Sequence, residues 1–303
     1  MINTAELWLV TRRNLHEALP GGSVDEVLDT LDEGEKRLVS VEADALASIV
    51  EPFFGQRSPP VAAKADEGSI TRLFRFAGRT RLFSFNDTTG LERRPDAVTD
   101  ALERRVPVVA LIRHGQTAAN VAGRWQGSMD DALDEEGERQ ANALFEWYGP
   151  LDSVWSSPLR RAAATATALH AGPSYHNDLV ELRFGNWEGM TTDEIRAIGP
   201  LFDQIFIDGS DHPRGETGET WDLLERRMWK ALEEINPSPG KITGIVTHGA
   251  AIRAVITSLT ANGWAAATGL FTPPNTSVTH LVMSDPPVVA DYGLAPHLER
   301  LRT

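Results

Sequence analysis

Five unbroken apolar residues, Val108-Val-Ala-Leu-Ile112, are followed at once by Arg113, His114 and Gly115. A short run rich in β-branched side chains reads as a strand buried on both faces, as in the middle of a parallel sheet. Gly115 then turns the chain sharply, which predicts Arg113 and His114 at the carboxyl end of that strand. A second run, Ile242-Thr-Gly-Ile-Val-Thr247, stops in the same manner at His248-Gly249. Elsewhere in this half the periodicity is helical. Helices are predicted from Asp134 to about Tyr148, Leu159 to His170, Thr191 to Ile198, Trp221 to Ile235 and Ala250 to about Leu259. Short strands are predicted at Asp152–Ser156 and Ser277–Met283, and Phe202 to Thr217 reads as an irregular excursion. Strands alternating with helices predict an α/β domain, a three-layer α/β/α sandwich with a mostly parallel central sheet.

Residues 1–105 follow another pattern, that of a smaller α+β region, so the division falls into 1–105 and 106–303. Ser23 and Glu26 form a capping box ahead of a helix from Val24 to Leu31. A second helical segment runs from Val41 to Val50 and stops before Pro52, and Ser58-Pro59-Pro60 marks a loop. Ile70–Phe76 and Thr80–Phe85 flank Ala77-Gly78-Arg79 as a β-hairpin. Its arginines, Arg72, Arg75, Arg79 and Arg81, read as a solvated strand face before they read as a basic binding face. Arg93 to Arg105 is a charged helix or linker. Phe53, Phe54, Phe74, Phe76, Phe83 and Phe85 supply enough apolar surface for the region to fold. It carries no chemistry-bearing motif.

The net charge of −14 over 303 residues argues against nucleic acid or an anionic membrane surface as a partner. An anionic substrate then requires a local basic pocket in an acidic whole. The absence of cysteine excludes disulfides, a thiolate nucleophile and thiolate metal sites. Met1 to Val10 carries Glu6 and lacks the charge and apolar pattern of a signal peptide, and no apolar stretch approaches membrane-spanning length. The expected location is cytoplasmic.

The two strand ends are where the chemistry gathers. Parallel neighbours would bring His114 and His248 to one sheet edge, a few ångströms apart, where open α/β sheets bind ligands. An arginine fork matches phosphate oxygens, and an imidazole can attack or carry a proton. A histidine pair also suits a metal, but Arg113 beside it opposes a divalent ion, so the pattern favours an anion. Ser157-Pro-Leu-Arg-Arg-Ala162 opens another helix, whose N-terminus offers N–H donors to anions, with Arg160 and Arg161 in its first turn. One of the two faces solvent. Glu181, ahead of Phe184-Gly-Asn-Trp-Glu-Gly189, is a candidate general acid or base. Trp125, Trp187 and Trp221 are core residues first, and ring-stacking residues only second.

Taken jointly, Leu111-Ile-Arg-His-Gly-Gln-Thr117 with Asn120 and Gln126-Gly127, Ser157-Pro-Leu-Arg-Arg-Ala162, Glu181 with Gly185–Gly189, Gly218-Glu-Thr220 and Thr247-His-Gly249 resemble the motifs of the histidine phosphatase superfamily. The resemblance spans roughly Val106 to Leu298 and implies the phosphoglycerate-mutase-like fold. It implies that His114 is the nucleophile that becomes phosphorylated, that Arg113, Arg161 and His248 surround the phosphoryl group, and that Glu181 is the general acid and base. Asn120, Gln126, Gly127 and Gly249 would line the substrate side. Thr220 stands where the family usually has serine, and Asp134 where it often has threonine.

The expected activity is hydrolysis of a small phosphate monoester with no metal and no cofactor, since phosphoryl transfer needs positioning and charge stabilisation above all. Phosphoglycerate-mutase-type transfer is the alternative, disfavoured because only about sixteen residues, Phe202 to Thr217, could cover the site. A reading of another class is a regulatory protein that senses a phosphorylated ligand. Residues 1–105 leave three roles open: a lid, a dimerisation module that would make the protein a homo-oligomer, or a separate domain.

Overall fold

Leu7 and Leu9 alternate with half-buried neighbours along Glu6–Thr11, which makes that segment a strand, β1, with one face on a core. In the computed structural model the described residues are 6–11, 23–31, 35–54, 62, 64–76, 79–91, 94–260 and 263–301. The predicted loop at Ser58–Pro60 and the turn residues Ala77 and Gly78 lie outside them. A parallel neighbour of β1 needs a crossover. The crossover contains α1 (Val24–Asp29), opened by the predicted capping box, in which Ser23 Oγ accepts from Glu26 N at 3.2 Å and Glu26 Oε2 from Ser23 N at 3.1 Å. β2 (Lys36–Val41) then pairs with β1 in parallel, from Glu6 opposite Lys36 to Thr11 opposite Val41.

Val41 therefore ends a strand, and the predicted helix over Val41–Val50 is corrected to α2 (Ala43–Phe54), which continues through Pro52. An interior proline costs about 3 kcal/mol. Phe53 and Phe54 just beyond it are buried, each worth about 1.5–3 kcal/mol, and hold the last turn onto the core. β3 (Ile70–Phe76) and β4 (Arg79–Asp87) form the predicted antiparallel hairpin and complete a sheet of order β2-β1-β3-β4. The charged stretch before the central strand contains α3 (Asp96–Glu103).

The second sheet has the order β10-β9-β5-β8-β6-β7. Its central strand, β5 (Val108–Arg113), leads through α4 (Ala118–Val121) to α5 (Glu135–Tyr148), β6 (Ser153–Ser156), α6 (Arg160–Leu169) and the two-residue β7 (Ser174–Tyr175). The predicted excursion after α7 (Thr192–Ala197) contains a helix, α8 (Leu201–Phe206). α9 (Trp221–Ile235), β8 (Ile242–Thr247) and α10 (Gly249–Ser258) follow as read from the sequence. α11 (Trp264–Ala267), β9 (Val278–Val282), β10 (Val288–Val289) and α12 (His297–Arg300) close the described chain.

β5 runs parallel to β8, β8 to β6 and β6 to β7, while β9 is antiparallel to β5, so the sheet is mostly parallel as expected. Successive side chains of β5 point to opposite faces. Val109 and Leu111 join a core with Leu224 and Met228 of α9 and Ile252 and Val255 of α10. Ala110 and Ile112 join another with Val98 of α3, Leu144 of α5 and Ala166 of α6. Those are the three layers.

The N-terminal sheet is tied to this domain by backbone bonds. Leu82 N donates to Gly269 O at 3.0 Å and Phe271 N to Leu82 O at 2.9 Å, and Phe85 and Tyr292 exchange a pair at 3.0 and 3.1 Å. Phe271 also packs against Phe74, with ring centroids 4.9 Å apart. No helix among the described residues is long and apolar enough to cross a membrane.

Candidate active site

The register of β5 and β8 sets Arg113 opposite Thr247, so the residues after each strand emerge side by side. His114 N donates to Thr247 O at 3.0 Å, and the rings of His114 and His248 have centroids 5.1 Å apart. Both rings are buried, 3% and 0% exposed. The glycine after each histidine is required by close approach. A Cβ on Gly115 would come within 2.6 Å of Gly137 O in α5, and one on Gly249 within 2.5 Å of Thr272 Cγ2.

His114 Nδ1 lies 2.7 Å from Gly115 O. A carbonyl can only accept, so Nδ1 carries the proton and Nε2 keeps its lone pair in the neutral ring. Burial, then the charges of Arg113 and Arg161, hold the pKa of His114 well below the ordinary histidine value. His248, with Nε2 2.8 Å from Ser157 Oγ, is held well below it by burial and then by Arg161 and His114. Both rings are neutral at pH 7.

Arg113 donates from Nη1 to Pro273 O at 2.8 Å; Arg161 donates from Nη1 to Met129 O at 2.5 Å and from Nη2 to Gly127 O at 2.9 Å. Burial lowers the pKa of Arg113 to about 10 and that of Arg161 in the same direction, which leaves both charged at neutral pH. Arg113 Nε, Arg161 Nε and His248 Nδ1 are buried without a hydrogen-bond partner. Buried donors without acceptors are costly, and two such guanidinium N–H groups beside one neutral imidazole are a donor set for an anion, which His248 Nδ1 joins in the tautomer where Ser157 Oγ donates to Nε2. Arg160, the other arginine of the pair, is exposed. Its backbone N–H goes to Asp130 Oδ1 at 2.6 Å, so that first-turn donor of α6 is given to a protein carboxylate.

Glu181 follows a short 3-10 turn, Asn177–Leu179, and its carboxylate lies at the first turn of α10. Oε1 accepts from Leu182 N at 2.9 Å and Ala251 N at 3.2 Å, and Oε2 from Ala250 N at 3.2 Å. Its backbone carbonyl accepts from Arg227 Nη2 at 2.9 Å, and the same guanidinium pairs with the buried Glu219 at 2.9 Å. Glu219 thus gives the Gly218-Glu-Thr220 motif its task, the anchoring of the Glu181 segment from behind. Thr220 itself is the N-cap of α9 and Asp134 that of α5, accepting from Leu223 N and Gly137 N. Serine, threonine and aspartate all serve that purpose, which accounts for both departures from the family pattern.

A cavity of about 410 Å³ gathers Arg113, His114, Arg161 and Glu181 with Asn120, Gln126 and Gly127. His248 and Gly249 are not among its lining residues: the first lies against His114, the second beside Arg113. The polar side is a network in which Asn120 Nδ2 donates to Gln126 Oε1 at 3.1 Å and Asn275 Nδ2 to Asn120 Oδ1 at 3.1 Å. Asn275 also donates to His114 O at 3.0 Å. Asn275, Phe206, Trp264 and Arg253 line the cavity without having been read from the sequence. Only Arg253 had a signal, as the one charged residue of Gly249–Ser258. Trp125 and Trp221 reach the cavity, whereas Trp187 is core. Among the described residues no group of three or more His, Asp or Glu side chains could hold a metal ion.

The family model for the histidine phosphatase superfamily (branch 1) matches residues 109–289. A metal-independent phosphoserine phosphatase of Arabidopsis thaliana is 32% identical over 190 residues, covering 59% of this chain and 79% of the relative. A probable phosphoglycerate mutase of Erwinia tasmaniensis is 32% identical over 158 residues, covering 50% of this chain and 74% of that one. Among solved structures, a phosphoserine phosphatase from Entamoeba histolytica in complex with 3-phosphoglyceric acid matches with a TM-score of 0.55 at 27% identity, covering 63% of this chain and 98% of the other. The family model covers more than half of the chain, and the chain belongs to the histidine phosphatase superfamily.

Proposed function

We propose that this phosphatase hydrolyses a small phosphorylated metabolite through a phosphohistidine on His114. The observation that carries the reading is the 2.7 Å contact from Nδ1 to Gly115 O, which leaves Nε2 as the free lone pair in the cavity. Nε2 attacks phosphorus, the ester P–O bond breaks, and Glu181 gives the leaving oxygen its proton. Glu181 then takes a proton from water, whose oxygen attacks phosphorus, and the P–N bond breaks to restore His114. Arg113 and Arg161 hold the equatorial oxygens, with His248 as a further donor through its unpartnered Nδ1. Asn120, Gln126 and Gly127 meet the substrate's other end, and Gly249 keeps room beside Arg113. The chemistry runs on these side chains without a metal.

The catalytic unit in this reading is residues 106–303, with its own sheet. Residues 1–105 form an N-terminal region whose β4 braces the segment carrying Thr272 and Asn275. The similarity to a probable phosphoglycerate mutase favours transfer between hydroxyls as the second reading. Hydrolysis of p-nitrophenyl phosphate in EDTA tests the first. Turnover in EDTA with labelled phosphate trapped on His114 is the expected result, and turnover only with added metal would overturn it. No turnover at all would favour a sensor of phosphorylated ligands. Conversion of 3-phosphoglycerate to 2-phosphoglycerate without phosphate release would favour the mutase.

A further inference from the structure

Attack by Nε2 leaves a formal positive charge on the His114 ring, because Nδ1 keeps its proton while Nε2 gives its lone pair to phosphorus. Burial, Arg113 and Arg161 all oppose positive charge there, and the bond from Nδ1 to Gly115 O is what favours it. The strength and aim of that one carbonyl therefore bear on the reaction.

Gly115 O and Gln116 N belong to a single planar amide, so whatever holds one end aims the other. Gln116 N donates to Gln140 Oε1 at 3.0 Å. Gln140 is buried on α5, and its Nε2 donates in turn to Glu136 Oε1 at 3.3 Å, as that orientation of the side-chain amide requires. The result is one line of three hydrogen bonds. It runs from the ring to the Gly115–Gln116 amide at 2.7 Å, from that amide to Gln140, and from Gln140 to a carboxylate. Amides in series polarise one another, so an acceptor at the far end strengthens Gly115 O as the acceptor for Nδ1–H. Glycine at 137 lets α5 come this close, since a Cβ there would strike Gln116 O and Gln116 N.

The neighbouring amides of the loop are held separately. Gly115 N donates to Thr165 Oγ1 of α6 at 3.0 Å, Asp134 N to Gln116 O at 3.1 Å, and Asn275 Nδ2 to His114 O at 3.0 Å. None of these bonds touches the amide that faces the ring. Among the described residues, His114 and Gln140 are the two side chains hydrogen-bonded to it.

We propose that Gln140, with Glu136 behind it, is a positioning residue for the nucleophile. Through the Gly115–Gln116 amide it fixes the proton on Nδ1 and strengthens the acceptor that stabilises the ring as Nε2 bonds phosphorus. The kinetic part of the proposal rests on His114 as the phosphoryl acceptor, whereas the ring tautomer is a property of the resting protein.

Gln140→Met keeps the bulk of the side chain and removes the acceptor. In full-length protein labelled with 15N-histidine, the His114 ring is assigned by its loss in His114→Ala. At pH 7.5 the wild-type ring should be protonated at Nδ1 and bare at Nε2, and in Gln140→Met it should show averaged signals of both tautomers. Single-turnover cleavage of p-nitrophenyl phosphate, with enzyme in excess, reads phosphorylation of the ring. Its rate in Gln140→Met should fall about ten-fold, the worth of one neutral hydrogen bond, with half-saturation within about two-fold of wild type. Gln140→Glu keeps an oxygen for Gln116 N in either protonation state, and should recover most of the rate and the wild-type ring signals. Glu136→Gln removes only the terminal charge and should slow the step by about two- to three-fold. Thr165→Val breaks the neighbouring bond to Gly115 N, and should lower Tm while leaving the tautomer as in wild type. Wild-type ring signals in Gln140→Met would overturn the proposal whatever its turnover, and so would equal mixing in Thr165→Val. Should Gln140→Met not fold by circular dichroism, the rate in Glu136→Gln decides, and no change there overturns the proposal. Should the wild type release no p-nitrophenol, the phosphohistidine reading fails, and the ring signals decide the role of Gln140 alone.

Discussion

His114, just past the end of β5, and His280, in the middle of the neighbouring β9, are buried to the same degree, 3% and 2% exposed, in opposite surroundings. Both ring nitrogens of His280 are occupied, Nδ1 by Asp291 Oδ2 at 2.6 Å and Nε2 by Tyr148 Oη at 2.6 Å. Asp291 also accepts from the backbone N–H of His280 at 2.8 Å, which closes the network. His114 has one nitrogen held by a carbonyl, the other open to a cavity, and cations for neighbours. A satisfied ring in mid-strand fastens β9 to its surroundings. A half-satisfied ring at the sheet's carboxyl edge is available for chemistry.

Substitution at the two positions should separate these roles, and the largest effect belongs to His114. His114→Ala should lower kcat by about 10⁴-fold or more, the scale seen when a covalent nucleophile is removed, with thermal stability little changed. Appreciable residual turnover of p-nitrophenyl phosphate, or phosphate trapped elsewhere, would erase the distinction. His280→Ala should do the reverse. It strands the buried Asp291 carboxylate, so unfolding in urea should show a loss of about 3–5 kcal/mol, while kcat of the folded protein stays within about two-fold of wild type. A kcat loss without a stability loss would mean that His280 communicates with the site.

The contrast was half visible in the sequence. His114 and His248 could be placed because β5 and β8 are apolar runs buried on both faces that end at polar residues, so strand ends and parallel pairing followed together. The surroundings of His280 could not. Asp291 and Tyr148 are 11 and 132 residues away, and no local pattern joins them. The N-terminal region was harder for a related reason. Leu7-Trp-Leu-Val10 is apolar throughout, so the alternation that defines β1 exists only once one face meets a core. β2 depends on a crossover that puts it beside β1 in parallel. Pro52 argued for a helix end that two buried phenylalanines overrode. At the site, residues within motifs were legible, whereas Asn275, Phe206 and Trp264 come from loops and short helices positioned by contacts distant in sequence.

The smallest expected effect comes from pH. His114 and His248 are pushed in the same direction, both held well below the ordinary histidine value by burial and neighbouring positive charge. In the unfolded chain both titrate near pH 6.5. Between that value and their lower folded values the unfolded state binds more protons than the native state. Stability is therefore fully present above about pH 6.5 and lost as pH falls through the folded pKa values. Wild-type Tm should be level from pH 7 to 8 and fall as pH drops below about 6.5. Replacing one of the two rings with an uncharged side chain, as in His248→Gln, should shrink the acid-side fall relative to the variant's own value at pH 7.5. Were His114 paired with a carboxylate, its ring would not bind protons less readily on folding in this way. A Tm profile unchanged by His248→Gln would therefore mean that the Glu181 carboxylate offsets Arg113 and Arg161 at the rings.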